Sequence, residues 1–196
     1  MMQSKYITHP AIPKDAECVF SGVRADIFQW NQVMYDGSTA RFERIRFLDW
    51  AFVLPILSNG NILLTIQEQP WRTEFISLPG GSFDFPLEDP LQCAEREFFE
   101  ETGYRADSLS EWFHFEWTAN VMTYTYYFIA HGLSKVSEIT PDAWEKIRLF
   151  EVSFDEFLEL SSDIRFHHHW NLLPILYEAR LSHEKKQELK KKLYGV

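Results

Sequence analysis

The order of predicted elements indicates an α+β fold, in which strands precede and follow one short acidic helix and a helical region ends the chain. Residues 19–66 are dominated by apolar, aromatic and β-branched strand patterns, whereas residues 90–102 read as a helix. Strands and helices in this succession are typical of a mixed α+β domain. The 196 residues, of which 45% are hydrophobic, suit one domain with a single substantial core.

Two dipeptides that favour tight turns predict hairpins in the first third of the chain. Asp-Gly and Asn-Gly between apolar runs are strong hairpin signals. The first hairpin joins residues 25–35 to 41–47 at Asp36 and Gly37, and the second joins 50–57 to 61–66 at Asn59 and Gly60.

The acidic helix has well-defined ends. Asp89 is suited to the N-cap, Pro90 to the first helical position, and Gly103 to the left-handed residue that ends a helix. On this helix, Leu91, Ala94 and Phe98 are predicted to form the buried stripe.

Three carboxylates lie close together on the surface of this helix. At 100° per residue, Glu97, Glu100 and Glu101 share an arc of about 100°. Like charges at this spacing repel one another. A divalent cation such as Mg²⁺ bound between the carboxylates would replace this repulsion by attraction. A solvated acidic helix face is the simpler interpretation of the three residues alone.

The remaining elements follow the same kinds of signal. Aromatic and β-branched runs predict further strands, and Ser153 is a suitable helix N-cap. The last region is predicted to be one helix that packs Leu173, Leu176, Tyr177 and Leu181, with Pro174 in its first turn. The predicted strands are residues 112–117, 123–130 and 147–152, and the predicted helices are 154–160 and 170–193.

Composition restricts the possible partners and location. The net charge of −10 argues against a nonspecific nucleic-acid or membrane partner. Cys18 and Cys93 are too few for a disulfide framework, so we expect reduced thiols and a cytoplasmic protein. No long apolar segment predicts secretion or membrane insertion.

The segment around the acidic helix resembles the Nudix box. In chain order, that pattern contains a glycine, a glutamate after five intervening residues, an Arg-Glu pair, a Glu-Glu pair and a final glycine. The spacing departs from it once, because six residues, not five, separate Gly81 from Glu88, in a loop where insertion costs little. The matching residues are Glu88, Arg96, Glu97, Phe98, Glu100, Glu101, Gly103 and Tyr104, after Leu78-Pro79-Gly80-Gly81.

The resemblance implies a Nudix fold, an α/β/α sandwich around a mixed sheet, within residues 48–196. Residues 1–47 are similar to the N-terminal arm and antiparallel β-hairpin extension of ADP-ribose pyrophosphatase-like members. In that group the extension helps to form a homodimer and part of the nucleoside site.

The resemblance also implies hydrolysis of a pyrophosphate bond with two or three Mg²⁺ or Mn²⁺ ions. Metal ligands carry over to Glu97, Glu100 and Glu101, with a backbone carbonyl at Gly81 and a water-mediated contact from Glu88. Arg96 carries over as an orienting partner, and its spacing allows an i,i+4 contact with Glu100. Glu101, Glu97, Arg96 and Glu145 form the predicted catalytic set.

Further roles are expected outside the box. In these relatives the general base comes from a loop before the last strand, here residues 134–146, which points to Glu145. Arg72 is a candidate phosphate contact, and Trp30 and Phe28 are candidates for stacking on the base. The alternative for Glu145 is a solvated loop acid, and the alternative for Arg72 is an exposed arginine without a role. The alternative for the aromatic rings is that at least one of them packs in the core.

The expected substrate is ADP-ribose or another nucleoside diphosphate sugar, cleaved to a nucleoside monophosphate and a phosphorylated sugar. ADP-ribose-preferring relatives often carry a proline where this chain has residues 117–120, without proline, so GDP-mannose and UDP-glucose stay open. A non-catalytic sensor and a pyrophosphatase for another nucleotide are the alternatives. His167, His168 and His169 are adjacent and point in different directions, which disfavours a single metal site.

Overall fold

The structure is a computed structural model that describes residues 9–84, 88–118, 120–166 and 170–195. The start of the predicted N-terminal arm and His167, His168 and His169 lie outside the described residues.

The described residues form ten strands and four α-helices. The strands are β1 Glu17–Ser21, β2 Ala25–Val33, β3 Thr39–Phe47, β4 Trp50–Pro55, β5 Ile62–Gln69, β6 Arg72–Ser77, β7 Gly80–Ser82, β8 Tyr104–Thr118, β9 Val121–Lys135 and β10 Lys146–Val152. The helices are α1 Pro90–Thr102, α2 Phe154–Glu159, α3 Leu173–Leu181 and α4 His183–Tyr194, with a 3₁₀ turn at Leu160–Ser162.

The strands form two sheets. The larger sheet has the order β1-β2-β3-β9-β4-β7, with β8 also paired to β9, and the smaller sheet has the order β10-β5-β6. Strand β9 runs parallel to β3 and β4, whereas its pairing with β8 is antiparallel. The larger sheet is therefore mixed, as the resemblance implied.

The first predicted hairpin is confirmed, and the second is wrong. Strands β2 and β3 pair antiparallel from Ala25 opposite Phe47 to Val33 opposite Thr39. Strands β4 and β5 follow one another at the predicted turn but lie in different sheets, with an isolated bridge between Ile56 and Ile62. Because β9 and β7 occupy both edges of β4, β5 pairs with β6 and β10.

Strand β4 separates two layers of core. Successive side chains of a strand point to opposite faces. Ala51 and Val53 pack with Phe98 of α1 on one face, whereas Phe52 and Leu54 pack with residues of α2, α3 and α4 on the other. Helices thus cover both faces of the central strands, which gives the predicted sandwich.

Helix α1 has the predicted ends. The Asp89 side chain accepts a hydrogen bond from the Gln92 backbone N–H, and the Gln92 side-chain oxygen accepts one from the Asp89 backbone N–H. Gly103 ends the helix at φ 71°. The predicted buried stripe is wrong at Leu91, which is 40% exposed, whereas Cys93 is fully buried. The buried arc is displaced toward Cys93 because α1 packs against β7 as well as β4.

The C-terminal region is two helices, not the single predicted helix. Ser182 has extended backbone angles (φ −126°, ψ 123°), and its hydroxyl accepts a hydrogen bond from the Lys185 backbone N–H as the N-cap of α4. Leu176 is buried as predicted, but Tyr177 and Leu181 are exposed. None of the described helices combines the length and apolar character that crossing a membrane requires.

Candidate active site

A cavity of about 910 Å³ opens beside α1. Its walls come from β5, β6, β7, α1 and the loop between β9 and β10. The wall is acidic, because its carboxylates are twice as numerous as its guanidiniums. The carboxylates belong to Asp84, Glu97, Glu100, Glu101, Asp142 and Glu145, and the guanidiniums to Arg24, Arg72 and Arg96.

Glu101 is the most deeply buried carboxylate of the cavity. Its Oε1 accepts a 2.8 Å hydrogen bond from Gln67 Nε2, and its Oε2 accepts a 2.9 Å bond from the Gly80 backbone N–H. Burial, followed by the charge of Glu97, raises the pKa of Glu101 well above its ordinary value despite these donors. Gln67 was not predicted from the sequence, since a polar residue within an apolar strand carries no sign of its distant partner.

Glu97 lies against the glycine pair of β7. A Cβ atom added at Gly81 would come within 2.5 Å of the Glu97 carboxylate, so any other residue would displace this carboxylate from its position. Burial raises the pKa of Glu97 to about 7, although Arg96 acts in the opposite direction. The Gly81 carbonyl accepts a long (3.8 Å) hydrogen bond from the Cys93 thiol, and its contact with metal stays a prediction.

Arg96 connects three glutamates. Its Nη1 donates to Glu97 at 2.7 Å and to Glu100 at 3.2 Å, which confirms the predicted i,i+4 contact. Its Nε and Nη2 donate to the two carboxylate oxygens of Glu88 at 2.7 and 2.9 Å. The structure therefore places Glu88 against Arg96 and not among the described residues of the cavity wall, and its water-mediated metal contact stays a prediction.

Glu145 reaches the same cavity from the loop before β10. Its Oε1 accepts a 3.4 Å hydrogen bond from Gln69 Nε2. Burial, followed by the charge of Asp142, raises the pKa of Glu145, and the Glu145 charge in turn contributes to the raised pKa of Glu97 and Glu101. The sequence prediction thus selected a loop acid that the fold brings to the box carboxylates.

Arg72 also lines the cavity, at the start of β6. Its guanidinium carbon lies 3.8 Å from the centroid of the Phe75 ring. Burial lowers the pKa of Arg72. The location is compatible with the predicted phosphate contact, which stays a prediction.

The predicted base-stacking residues lie elsewhere in this chain. Phe28 is buried in a small core with Ile12, Cys18 and Met122. Trp30 Nε1 donates a 2.9 Å hydrogen bond to Gln32 Oε1. Neither ring is among the described residues of the cavity wall, so the core-packing alternative is correct for Phe28.

The indoles that do line the cavity are Trp50, Trp71 and Trp144. Trp71 and Trp144 stand one residue from Arg72 and Glu145, both of which the sequence analysis selected. Their location in the cavity was not predicted, because the sequence does not show which tryptophans outside the strands come together in the fold.

The sequence profile of the NUDIX domain matches residues 48–173. The chain belongs to the Nudix family. It is a Nudix hydrolase, and the predicted fold class and enzyme class are confirmed.

Similar proteins include two from Bacillus species. The chain is 25% identical over 170 residues to the methanol dehydrogenase activator of Bacillus methanolicus, covering 82% of this chain and 88% of that protein. It is 26% identical over 147 residues to the ADP-ribose pyrophosphatase of Bacillus subtilis (strain 168), covering 74% and 79%. The crystal structure of an ADP compounds hydrolase superposes with a TM-score of 0.71 at 19% identity, covering 93% of this chain and 95% of that one, which shows a shared fold.

The acidic wall of this Nudix hydrolase fits hard divalent cations. Burial raises the pKa of Glu101 and of the partly buried Glu97, and carboxylate oxygens are the ligands that Mg²⁺ and Mn²⁺ favour. Across the part of the chain that the structure describes, no three acidic, histidine or cysteine side chains converge as a ready-made metal cage. Glu100 is directed to Arg96, so a bound ion would compete with this guanidinium for the carboxylate.

Proposed function

We propose that this chain hydrolyses the pyrophosphate bond of a nucleoside diphosphate sugar, with ADP-ribose as the first candidate, to a nucleoside monophosphate and a phosphorylated sugar. The observation that carries the proposal is the convergence of buried Glu101 with the partly buried Glu97 and Glu145 on one cavity. The names of the Bacillus subtilis relative and of the similar solved structure support an ADP-containing substrate.

Charge explains why this cavity would need cations. A pyrophosphate group brings several negative charges to a wall on which carboxylates already outnumber guanidiniums. Two or three Mg²⁺ or Mn²⁺ ions held by Glu97, Glu100 and Glu101 would neutralise both sides and polarise the phosphorus under attack.

The side chains and backbone groups of the cavity orient the carboxylates, accept a proton and bind phosphate. Gln67 and the Gly80 N–H fix Glu101, and Arg96 fixes Glu97 and Glu100. Glu145 accepts the proton of the water that attacks phosphorus, because its burial raises its affinity for a proton. As the oxygen–phosphorus bond to water forms, the bond between phosphorus and the leaving phosphate oxygen breaks. Arg72 contacts a phosphate of the substrate.

Two segments of the chain would have different functions. Residues 1–47 would form the dimerisation extension and residues 48–196 the hydrolase domain. Exposed apolar side chains on and beside β2, Val33 and Tyr35, support an interface between two copies of this chain. The free thiols of Cys18 and Cys93 are compatible with a reducing cytoplasm.

The deciding experiment is hydrolysis of a panel of nucleoside diphosphate derivatives with Mg²⁺ or Mn²⁺, beside Glu101→Gln. The panel contains ADP-ribose, GDP-mannose, UDP-glucose, diadenosine polyphosphates and NADH. We expect strong cleavage of one nucleotide sugar by the unmodified chain and loss of it in the variant. Absence of cleavage with either metal would overturn the proposal in favour of a binding or sensing role.

A further inference from the structure

Two indoles stack on each other in the wall of the cavity. The ring centroids of Trp71 and Trp144 are 5.4 Å apart, and the ring planes differ by 23°. Trp71 lies in the turn between β5 and β6, and Trp144 lies just before β10. The pair therefore joins two segments that are more than seventy residues apart in the sequence.

The pair is held in place although it is not buried. Trp71 is 68% exposed, which leaves much of a large apolar ring in contact with solvent. Trp144 Nε1 donates a 3.1 Å hydrogen bond to Asp142 Oδ2, and the guanidinium carbon of Arg24 lies 5.8 Å from the Trp144 ring centroid. Trp144 is thus held by Asp142 and Arg24, and the more exposed Trp71 ring stacks on it. Core packing does not account for an exposed Trp71 ring stacked on an anchored indole at a cavity wall.

The indole contact is coupled to the position of Glu145. Trp144 and Glu145 are consecutive, and they contact Trp71 and Gln69, which are two residues apart in the facing segment. A ring that binds on the indole pair would therefore also stabilise the segment that presents the Glu145 carboxylate.

We propose that Trp71, Trp144 and Arg24 form the nucleobase site of this chain, a proposal that rests on the proposed function. Nucleobases stack on indole faces through their π surfaces, and a guanidinium can stack on the same rings. Trp144 directly precedes Glu145 in the sequence, so a base bound on the indoles lies next to the acidic end of the cavity. Because stacking depends on ring area, purines bind better than pyrimidines at this site.

The test is equilibrium binding of adenosine to the full chain without divalent cations, with ribose as the ligand that lacks a base. Neither ligand carries phosphate, so the result does not depend on metal or turnover. Trp71→Ala and Trp144→Ala are each expected to weaken adenosine binding on the order of tenfold, and Trp144→Phe to retain most of it. Trp170→Ala is the matched control, because Trp170 is 65% exposed and outside the described cavity wall.

Adenosine binding that is undetectable in the unmodified chain, or equal in all variants, overturns the proposal. A kinetic comparison separates base binding from simple bracing of the loop. If Trp144→Ala slows cleavage of ADP-ribose and of a diphosphate diester without a base equally, the indole only braces Glu145, and the proposal fails. If adenosine binding depends on both indoles but no panel compound is cleaved, the base site stands and the proposed hydrolysis fails.

Discussion

The Gln67 side-chain amide donates a 2.8 Å hydrogen bond to Glu101 Oε1 and a second hydrogen bond, of 3.1 Å, to Thr65 Oγ1. The Thr65 hydroxyl in turn donates to the Ser77 carbonyl at 3.2 Å. A buried chain of hydrogen bonds thus runs from the β5–β6 sheet to the carboxylate of α1. Donors of this kind orient a metal-binding carboxylate without touching the substrate.

Replacement of Gln67 by leucine should lower activity roughly 10- to 100-fold, because Glu101 would lose one of its two donors among the described residues and keep the Gly80 N–H. The measurement is kcat as a function of Mg²⁺ concentration, where the concentration for half-maximal activity should rise. Thr65→Val is the control, since it removes a neighbour of the Gln67 amide but leaves the bond to Glu101. Equal effects of both substitutions would assign Gln67 a merely structural role.

Gly81→Ala should abolish most activity while leaving the fold intact. Its Cβ would displace the Glu97 carboxylate from the position it now occupies. Gly60→Ala is the matched comparison, because Gly60 has φ +84° but no atom within 4 Å of the added Cβ. That variant should lose about 1 kcal/mol of unfolding free energy and keep its activity. Hydrolysis rates and urea unfolding of the two proteins give the comparison, and a normal rate for Gly81→Ala would contradict it.

Metal-free protein should become less stable as the pH rises. The pKa of Glu97 is raised from 4.5 to about 7, so the folded state binds this proton more tightly than the unfolded chain. The resulting stabilisation is complete below pH 4.5 and is lost as the pH rises through 7. Glu101 is shifted in the same direction.

The measurement is Tm in the presence of a chelator from about pH 5 to about pH 8. Tm should fall over this range, and less steeply in Glu97→Gln. Added Mg²⁺ should raise Tm most at the alkaline end, because it binds the deprotonated carboxylates. A Tm that rises with pH in chelator, or the same slope in both proteins, would show that Glu97 is not the group responsible.

Glu145→Gln should lower kcat by about 10²- to 10⁴-fold with little change in KM, because the amide cannot accept the proton of water. The acid limb of the pH–rate profile should disappear with it. Glu138→Gln is the control from the same loop, since the Glu138 side chain is 90% exposed and contacts Lys135. A Glu145→Gln protein with unchanged kcat would require another base.

The sequence predicted those features that depend on neighbouring residues. The caps of α1 at Asp89 and Gly103 and the β2–β3 hairpin are local signals, and each is confirmed. The assignment of β4 and β5 to different sheets depends on competition for strand edges, which no local pattern contains. The break at Ser182 did have a local signal, a serine suited to an N-cap, but the apolar and charged runs on either side concealed it.

The residues of the site likewise divide into those predicted from local sequence and those that depend on distant contacts. Glu97, Glu100 and Glu101 could be grouped from helix geometry alone, whereas Gln67 meets Glu101 across 34 positions of sequence. Phe28 and Trp30 were selected for their ring type, and the buried core around Phe28 shows that ring type does not determine location. The association of Trp71 with Trp144 required the three-dimensional structure.

Strand β7 is only three residues long and lies at the end of the larger sheet, yet it contacts both Glu97 and Glu101. Short edge strands are among the first elements to open locally. Enzyme activity therefore depends on β7 staying paired at the edge of the larger sheet. In increasing urea, we expect enzyme activity to vanish before the far-ultraviolet signal of the helices changes.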